Sequence, residues 1–294
     1  MESGFTLCVV GLGLMGGSLA LALRAASQTR SESQPYPLPA RIVAVGRNAA
    51  TLSMAQAARA IDDWTHDLAA GVADADVVIL ATPVRTTLRL LPEVGRHARP
   101  GALVMDLGSS KAEICAAMAA LPEGLEPIGG HPMCGKEVSG FAAAEATLFV
   151  DRPFVLCPLP RTSVAALERA VALVQAIGAR PLILDPVLHD WGVAAISHLP
   201  YAVAVALVNA VDAPGDPLPW SLAASGFRDT TRVAASDVEM MLDILLTNQA
   251  AILEWLQRFA DQMAALQRAL AENDEERLRT LLSAARERRS GLRL

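Results

Sequence analysis

The residue with the strongest claim to chemistry is His131, set in Gly129-Gly-His-Pro-Met133. A neutral imidazole accepts a proton near pH 7. Glycine before it and proline after it read as a turn-forming frame that holds the ring in a loop beyond the nucleotide half of the chain. Asp106-Leu-Gly-Ser-Ser-Lys111 follows the apolar run Leu103–Met105 and so lies at the carboxyl edge of a strand, where open sheets bind ligands. His198 falls in Ser197-His-Leu-Pro-Tyr201, inside a helical run just before a proline that loosens the turn by lacking an amide hydrogen. A lone histidine on an apolar helix is ordinarily structural. His66, His97 and His189 read as surface or structural residues.

These groups need a partner of defined chemistry, and the start of the chain supplies one. Phe5–Val10 is a short apolar strand that runs into Gly11-Leu-Gly-Leu-Met-Gly16 and then an Ala/Leu-rich helix. In such a loop Gly11 permits the tight turn, Gly13 lets backbone approach a pyrophosphate, and Gly16 lets helix and strand pack closely. The phosphates then meet free N–H groups at a helix N-terminus. The expected cofactor-binding set is Gly11, Gly13, Leu14, Met15 and Gly16, with Thr82-Pro83 after the apolar run Val77–Ala81, and Gly46-Arg47-Asn48 after the second strand. An NAD site usually carries a carboxylate at the position of Gly46. Its absence, with a guanidinium next to it, relieves repulsion of a 2′-phosphate and offers it paired hydrogen bonds, which predicts NADP rather than NAD.

The elements that must position these groups follow from the apolar runs. Strands are expected at Phe5–Val10, Arg41–Val45, Val77–Ala81, Leu103–Asp106, Pro153–Cys157 and Pro181–Asp185, with helices between most of them. That alternation predicts a Rossmann-like, doubly wound parallel α/β sheet over residues 1–185. From 186 to 294 only Ala/Leu/Val helical patterns appear, broken by Pro214, Gly215 and Pro217, so an all-α domain is expected there. Val187–Val211 is too apolar to show a polar face, which predicts burial on most sides and dimerisation through the helical half. The polar stretch 27–39 reads as an exposed loop.

At 294 residues the chain can bury a sizeable core. A net charge of -6 argues against nucleic-acid or acidic-membrane partners. The four cysteines are scattered without metal-ligand spacing, which predicts free thiols in a reducing compartment and no metal. No basic n-region precedes an apolar stretch, and no charge-free run is read as long enough to span a bilayer, so the expected location is cytoplasmic.

The order of Gly-x-Gly-x-x-Gly, Gly-Ser-x-Lys, Gly-Gly-His-Pro-Met, Ser-His-Leu-Pro and Gly226-Phe-Arg-Asp-Thr-Thr-Arg232 resembles that of prephenate and arogenate dehydrogenases. The likeness spans essentially the whole chain and looks like the compact, monofunctional cyanobacterial type. It implies a nucleotide domain followed by a helical dimerisation domain, and a homodimer acting on a small ring substrate. It also implies roles. His131 takes the proton of the ring 4-hydroxyl as hydride leaves for the nicotinamide, and Ser109 contacts that hydroxyl or orients the histidine. Arg232 binds a substrate carboxylate, and His198 supports the pocket.

Two departures matter. Many prephenate-using relatives have a second histidine where this chain has Tyr201, and the 27–39 stretch lengthens the path from the glycines to Gly46. Tyr201, expected near the substrate side chain, together with the NADP reading favours arogenate over prephenate. A beta-hydroxyacid dehydrogenase or imine reductase would need a proton donor such as lysine on the helical segment, but Lys136 is the last lysine of the chain. A nucleotide sensor would have no use for Ser109, His131 and Arg232 together.

Overall fold

Short apolar runs rich in Val, Ile and Leu form the centre of one eight-stranded sheet in the order β3-β2-β1-β4-β5-β6-β7-β8. The computed structural model describes residues 4–28, 38–136, 138–213 and 215–292. The strands are β1 (Thr6–Val10), β2 (Arg41–Val45), β3 (Asp63–Thr65), β4 (Val77–Leu80), β5 (Leu103–Asp106), β6 (Glu126–Pro132), β7 (Pro153–Pro158) and β8 (Arg180–Ile183). Helices α1 (Leu14–Gln28), α2 (Ala49–Ala57), α3 (Leu68–Val72), α4 (Val84–His97), α5 (Ala112–Ala119) and α6 (Val164–Ala176) connect them. Most of the stretch expected as a loop, residues 29–37, and Pro214 lie outside the described residues.

The doubly wound parallel sheet expected from sequence is present, with one reversal. β1 to β6 run parallel, whereas β7 pairs antiparallel with β6 and β8 follows β7 in parallel. Residue alternation along the strands sends side chains to two separate cores: Leu7 and Val9 into one, Cys8 and Val10 into the other. Strand order reverses beside β1, between β2 and β4. A crevice at the carboxyl ends of the strands is therefore expected there.

Two strands escaped the sequence reading. β3 is only three residues long. β6 contains both glycines and the histidine of Gly129-Gly-His131, so His131 stands on a strand and not in a loop. The glycines are there because of packing. A Cβ on Gly130 would sit 2.4 Å from the backbone oxygen of Asp106, and one on Gly129 would sit 2.7 Å from Cys115 Sγ.

After β8 the described residues are helical: α7 (Pro186–Val193), a π-helical turn (Ala194–His198), α8 (Leu199–Asp212), α9 (Leu218–Leu222), α10 (Ser225–Thr231), a 3-10 turn (Arg232–Ala235) and α11 (Val238–Thr247). Asp185 caps α7 by accepting from the N–H groups of Val187 and Leu188, with Pro186 in the first turn. Pro200 lacks the N–H that would bond back four residues. The preceding turn widens, and the N–H of Leu199 reaches the carbonyl of Ala194 five residues back.

The expectation that this run is buried on most sides fails. Over the continuous helix Pro186–Asp212 only 22% of the most apolar window is buried, and Ile196 is 70% exposed. The expectation that no run could span a bilayer fails as well, because this helix is long and apolar enough by length and composition. Its inward side nevertheless holds buried His189, Asp190 and His198, all hydrogen-bonded.

By compactness the chain forms two units, residues 1–248 and 249–294. The second is a pair of helices, α12 (Gln249–Ala271) and α13 (Glu275–Ser290), packed on each other.

Candidate active site

The carboxyl edge of the sheet is built by three adjacent strand ends. Gly11 donates to Val45 O at 2.8 Å, Ala81 to Val10 O at 2.8 Å and Leu107 to Leu80 O at 2.9 Å, which aligns the loops after β1, β4 and β5. Gly11 has φ +96°, and a Cβ there would lie 2.6 Å from Ala81 O. Only glycine suits that conformation and that gap. A Cβ on Gly16 would lie 2.1 Å from Gly11 O, so the turn closes directly on α1. Nothing lies within 4 Å of the Cβ direction of Gly13, leaving its backbone open to a ligand at the start of α1. Leu14 and Met15 are half-buried in the first turn of that helix. These residues fit a dinucleotide pyrophosphate.

Thr82 and Pro83 lie on the same edge. The Thr82 and Thr87 hydroxyls are 2.8 Å apart, and Pro83 precedes α4. At the end of β2, Gly46 is followed by exposed Arg47, and Asn48 caps α2 by accepting from Thr51 N at 3.1 Å. His66, at the end of β3, brings its Nδ1 to 2.6 Å from Gly46 O. His66 is exposed there, in keeping with its reading as a surface residue.

His131 stands near the end of β6, paired with Val155 of β7. It shares a face with Val155 and Cys157, whose core cluster also contains Ile114, Cys115 and Met118 of α5. Its Nδ1 is 2.8 Å from His189 Nε2, and His189 Nδ1 is 2.7 Å from Asp190 Oδ1. Asp190 in turn accepts from the N–H of Lys111 at 2.6 Å and of Ala112 at 2.8 Å, at the start of α5. Asn248 donates from Nδ2 to Asp190 O at 2.7 Å, and His198 Nδ1 lies 3.1 Å from the same nitrogen.

Beneath this row is a fully buried ion pair. Lys111 Nζ bonds Asp106 Oδ2, which also accepts from Gly108 N at 2.7 Å, while Asp106 Oδ1 accepts from Gly130 N at 3.0 Å. The pair ties β5, α5 and β6 together behind His131.

The electrostatics favour a neutral His131. Burial pushes its imidazole well below the usual range, and His189, Lys111 and His198 push the same way. Burial takes His198 down to about 4, against an opposing pull from Asp190. Burial moves the thiols the other way, Cys8 up to about 12 and Cys134 to about 11, so neither supplies a thiolate near neutral pH. All four cysteines are free, and among the described residues no group of side chains could hold a metal ion.

Of the residues expected from sequence, the structure joins His131 to the network that ends at His198 and puts the glycine loop on the same sheet edge. Ser109 is half-buried in the turn after β5, next to Ser110, whose hydroxyl bonds Thr247 at 2.7 Å. Tyr201 is half-buried on α8, and Arg232 begins the exposed 3-10 turn that packs against α8. Of the surface or structural reading of His189, the surface half does not hold: the ring is buried and hydrogen-bonded between His131 and Asp190. His189, Asp190, Thr247 and Asn248 were missed, because each becomes interesting only when α7, α11 and β6 meet. The one sequence signal was Asp185-Pro186, a helix start followed a turn later by two adjacent polar residues in an otherwise apolar helix.

Comparison with known proteins agrees with this architecture. The family described as prephenate dehydrogenase, nucleotide-binding domain, matches residues 37–183, and prephenate dehydrogenase, dimerization domain, matches residues 185–284. The first match begins beyond the glycine loop, whose fit rests on the geometry above. A prephenate dehydrogenase of Bacillus subtilis is 33% identical over 293 residues, spanning 98% of this chain and 76% of the relative. Among solved structures, Synechocystis arogenate dehydrogenase superposes with a TM-score of 0.81 at 32% identity, covering 97% of this chain and 99% of the other. Prephenate dehydrogenase from A. aeolicus, in complex with hydroxyphenyl propionate and NAD+, gives a TM-score of 0.88 at 28% identity and covers 98% of each chain.

Proposed function

The chain belongs to the prephenate and arogenate dehydrogenase family, and from that premise we propose that it is an NADP-dependent arogenate dehydrogenase producing tyrosine and carbon dioxide. The observation that carries the chemistry is His131. It is a neutral imidazole on the ligand-binding edge of the sheet, with Nδ1 engaged by His189 and Nε2 left for substrate.

In this reading His131 accepts the proton of the ring 4-hydroxyl as that carbon becomes a carbonyl. A nicotinamide dinucleotide held at the Gly11–Gly16 loop would supply the oxidising power, as the hydride acceptor for that carbon. Loss of the ring carboxylate as carbon dioxide then sends its electron pair into the ring, and the proton on His131 returns to the phenol oxygen. Aromatisation makes the step effectively irreversible. The protein is left to align the ring and relieve charge on the hydroxyl. Ser109 contacts that hydroxyl or orients His131, Arg232 receives a substrate carboxylate, and His198 supports the pocket through Asn248.

Two features support the finer specificity. Gly46 and exposed Arg47 leave a 2′-phosphate unopposed and paired with a guanidinium. Tyr201, on α8 beside the π turn, is the pocket residue assigned to the substrate side chain, where arogenate carries an amino acid and prephenate a keto acid. The exposed apolar face of the helical segment supports a homodimer, and the free thiols are in keeping with a cytoplasmic enzyme.

The test is a four-way comparison of initial rates, arogenate and prephenate each with NADP and NAD, following reduced nicotinamide. Fast turnover confined to arogenate with NADP is the expected result. Efficient use of prephenate would overturn the role given to Tyr201, and equal rates with NAD would overturn that of Arg47.

A further inference from the structure

We propose that His189 and Asp190 are positioning residues that hold His131 in one tautomer and take up its charge, forming a His–His–carboxylate relay across α7 and β6. The catalytic half of this inference rests on the reading of His131 as the proton acceptor.

Asp190 is the end that can be assigned first, because both its oxygens accept backbone N–H groups, from Lys111 at 2.6 Å and Ala112 at 2.8 Å. Oδ1, already an acceptor, lies 2.7 Å from His189 Nδ1, so that nitrogen carries the hydrogen. With its single hydrogen on Nδ1, the His189 ring presents a bare Nε2, and the atom 2.8 Å from it, His131 Nδ1, donates. His131 is left with its Nε2 lone pair outward, the form a base requires. A carboxylate on the far nitrogen of an imidazole sets tautomer and orientation in serine-hydrolase triads and at metal-bound histidines. Here a second imidazole is interposed.

The relay also handles charge. When Nε2 takes a proton, the Nδ1 hydrogen can pass to His189 Nε2, and the positive charge comes to rest in contact with the Asp190 carboxylate. Asp190 sits where α5 presents its first N–H groups, a place that favours negative charge. The other groups facing His131 oppose protonation: Lys111 from the turn after β5, itself paired with Asp106, and His198 from the π turn. Asp190 is the counter-charge that makes transient protonation tolerable in a buried site. A side chain that only filled space at position 189 would need neither the hydrogen bond to His131 nor the one to Asp190.

The test uses the full-length protein labelled with ¹⁵N-histidine, assigned with His131→Asn. Long-range ¹⁵N–¹H spectra at neutral pH are expected to show His131 protonated on Nδ1 and bare on Nε2, and a loss of that single tautomer in His189→Leu. Protonation on Nε2 in the parent protein would overturn the relay. Kinetics supply the second arm. Gln at 189 keeps an acceptor for His131 Nδ1–H, so His189→Gln should retain kcat within about tenfold, while His189→Leu loses about 10²-fold, a share of general-base catalysis. KM should stay within about threefold in both. Asp190→Asn should lower the plateau of kcat and move its acid limb to lower pH, because the imidazolium loses its counter-charge. Asn at 190 sets an amide nitrogen against a backbone N–H, so the His189 pair carries the test if that variant does not fold. Parent-like kcat and pH profile in His189→Leu would overturn the proposal. Undiminished turnover in His131→Asn would remove the base reading beneath it, and the NMR arm separates that failure from a failure of the relay.

Discussion

At the scale of single residues, His131 can serve as a base only while it is neutral and aimed, and its surroundings provide for both. Replacing it with Asn keeps a polar side chain and removes the proton acceptor. The expected outcome is a fall in kcat of about 10³-fold with KM changed far less, read from initial rates. His198 makes a complementary prediction about stability. Its imidazole is held at about 4 against an ordinary 6.5. Between those values the unfolded chain binds a proton that the native chain refuses, so stability falls as pH is lowered through the window and recovers as it rises. The full penalty is about 3 kcal/mol once pH is below both values. Urea midpoints measured from pH 7 to pH 4 should drop steeply in the parent and less in His198→Gln; equal slopes would show that this histidine does not report the transition.

At the scale of elements, the close passage of β6 alongside the end of its parallel neighbour β5 decides where His131 stands. Gly130 passes so close to Asp106 that a methyl group has no room, only 2.4 Å from a backbone oxygen that cannot swing away. Gly130→Ala should therefore cost at least about 1–3 kcal/mol and reduce activity as well, since the strand that moves carries the base; thermal unfolding and initial rates together check this. The ion pair below is a second element-level device. Lys111 and Asp106 are both fully buried, so removing one leaves the other uncompensated. Lys111→Met should lose about 3–5 kcal/mol, and the double variant with Asp106→Leu less than the sum of the two single changes. Exact additivity in a double-mutant cycle would mean the two groups are not coupled. The sequence showed Asp106 and Lys111 at a strand's carboxyl edge. It did not show that they face each other, because Gly129-Gly-His-Pro reads as a turn until β7 is seen to pair with it.

At the scale of the whole molecule, the helical segment exposes more apolar side chain than a single chain comfortably leaves in water. Ile196 is 70% and Leu222 72% exposed, with Val187, Leu188 and Trp191 beside them in the sequence or on the same helix run. If a second copy covers this surface, Ile196→Lys should convert a dimer to a monomer in sedimentation velocity, with the nucleotide half still folded by circular dichroism. A variant that stays dimeric would move the interface elsewhere. The apolar character of Val187–Val211 was legible in the sequence, but what covers it was not. Composition reports how much apolar surface exists, and only the folded chain shows which part of it the same chain buries.

That distinction runs through the protein. The sequence alone determined what depends on neighbours along the chain: the strand–glycine–helix opening, the missing carboxylate at Gly46, the helical character after Asp185, and the loosened turn before Pro200, which the structure shows as a π turn. It also singled out His131 by residue type and the company of glycine and proline. The tertiary structure decided what depends on residues far apart in the chain. It put His131 on a strand, made Gly129 and Gly130 matters of clearance, and brought His189 and Asp190 from 58 and more positions away into hydrogen-bond contact with His131 and the start of α5. A hydrogen bond has a length and a direction but no sequence separation, so such a network becomes visible only once the elements have met.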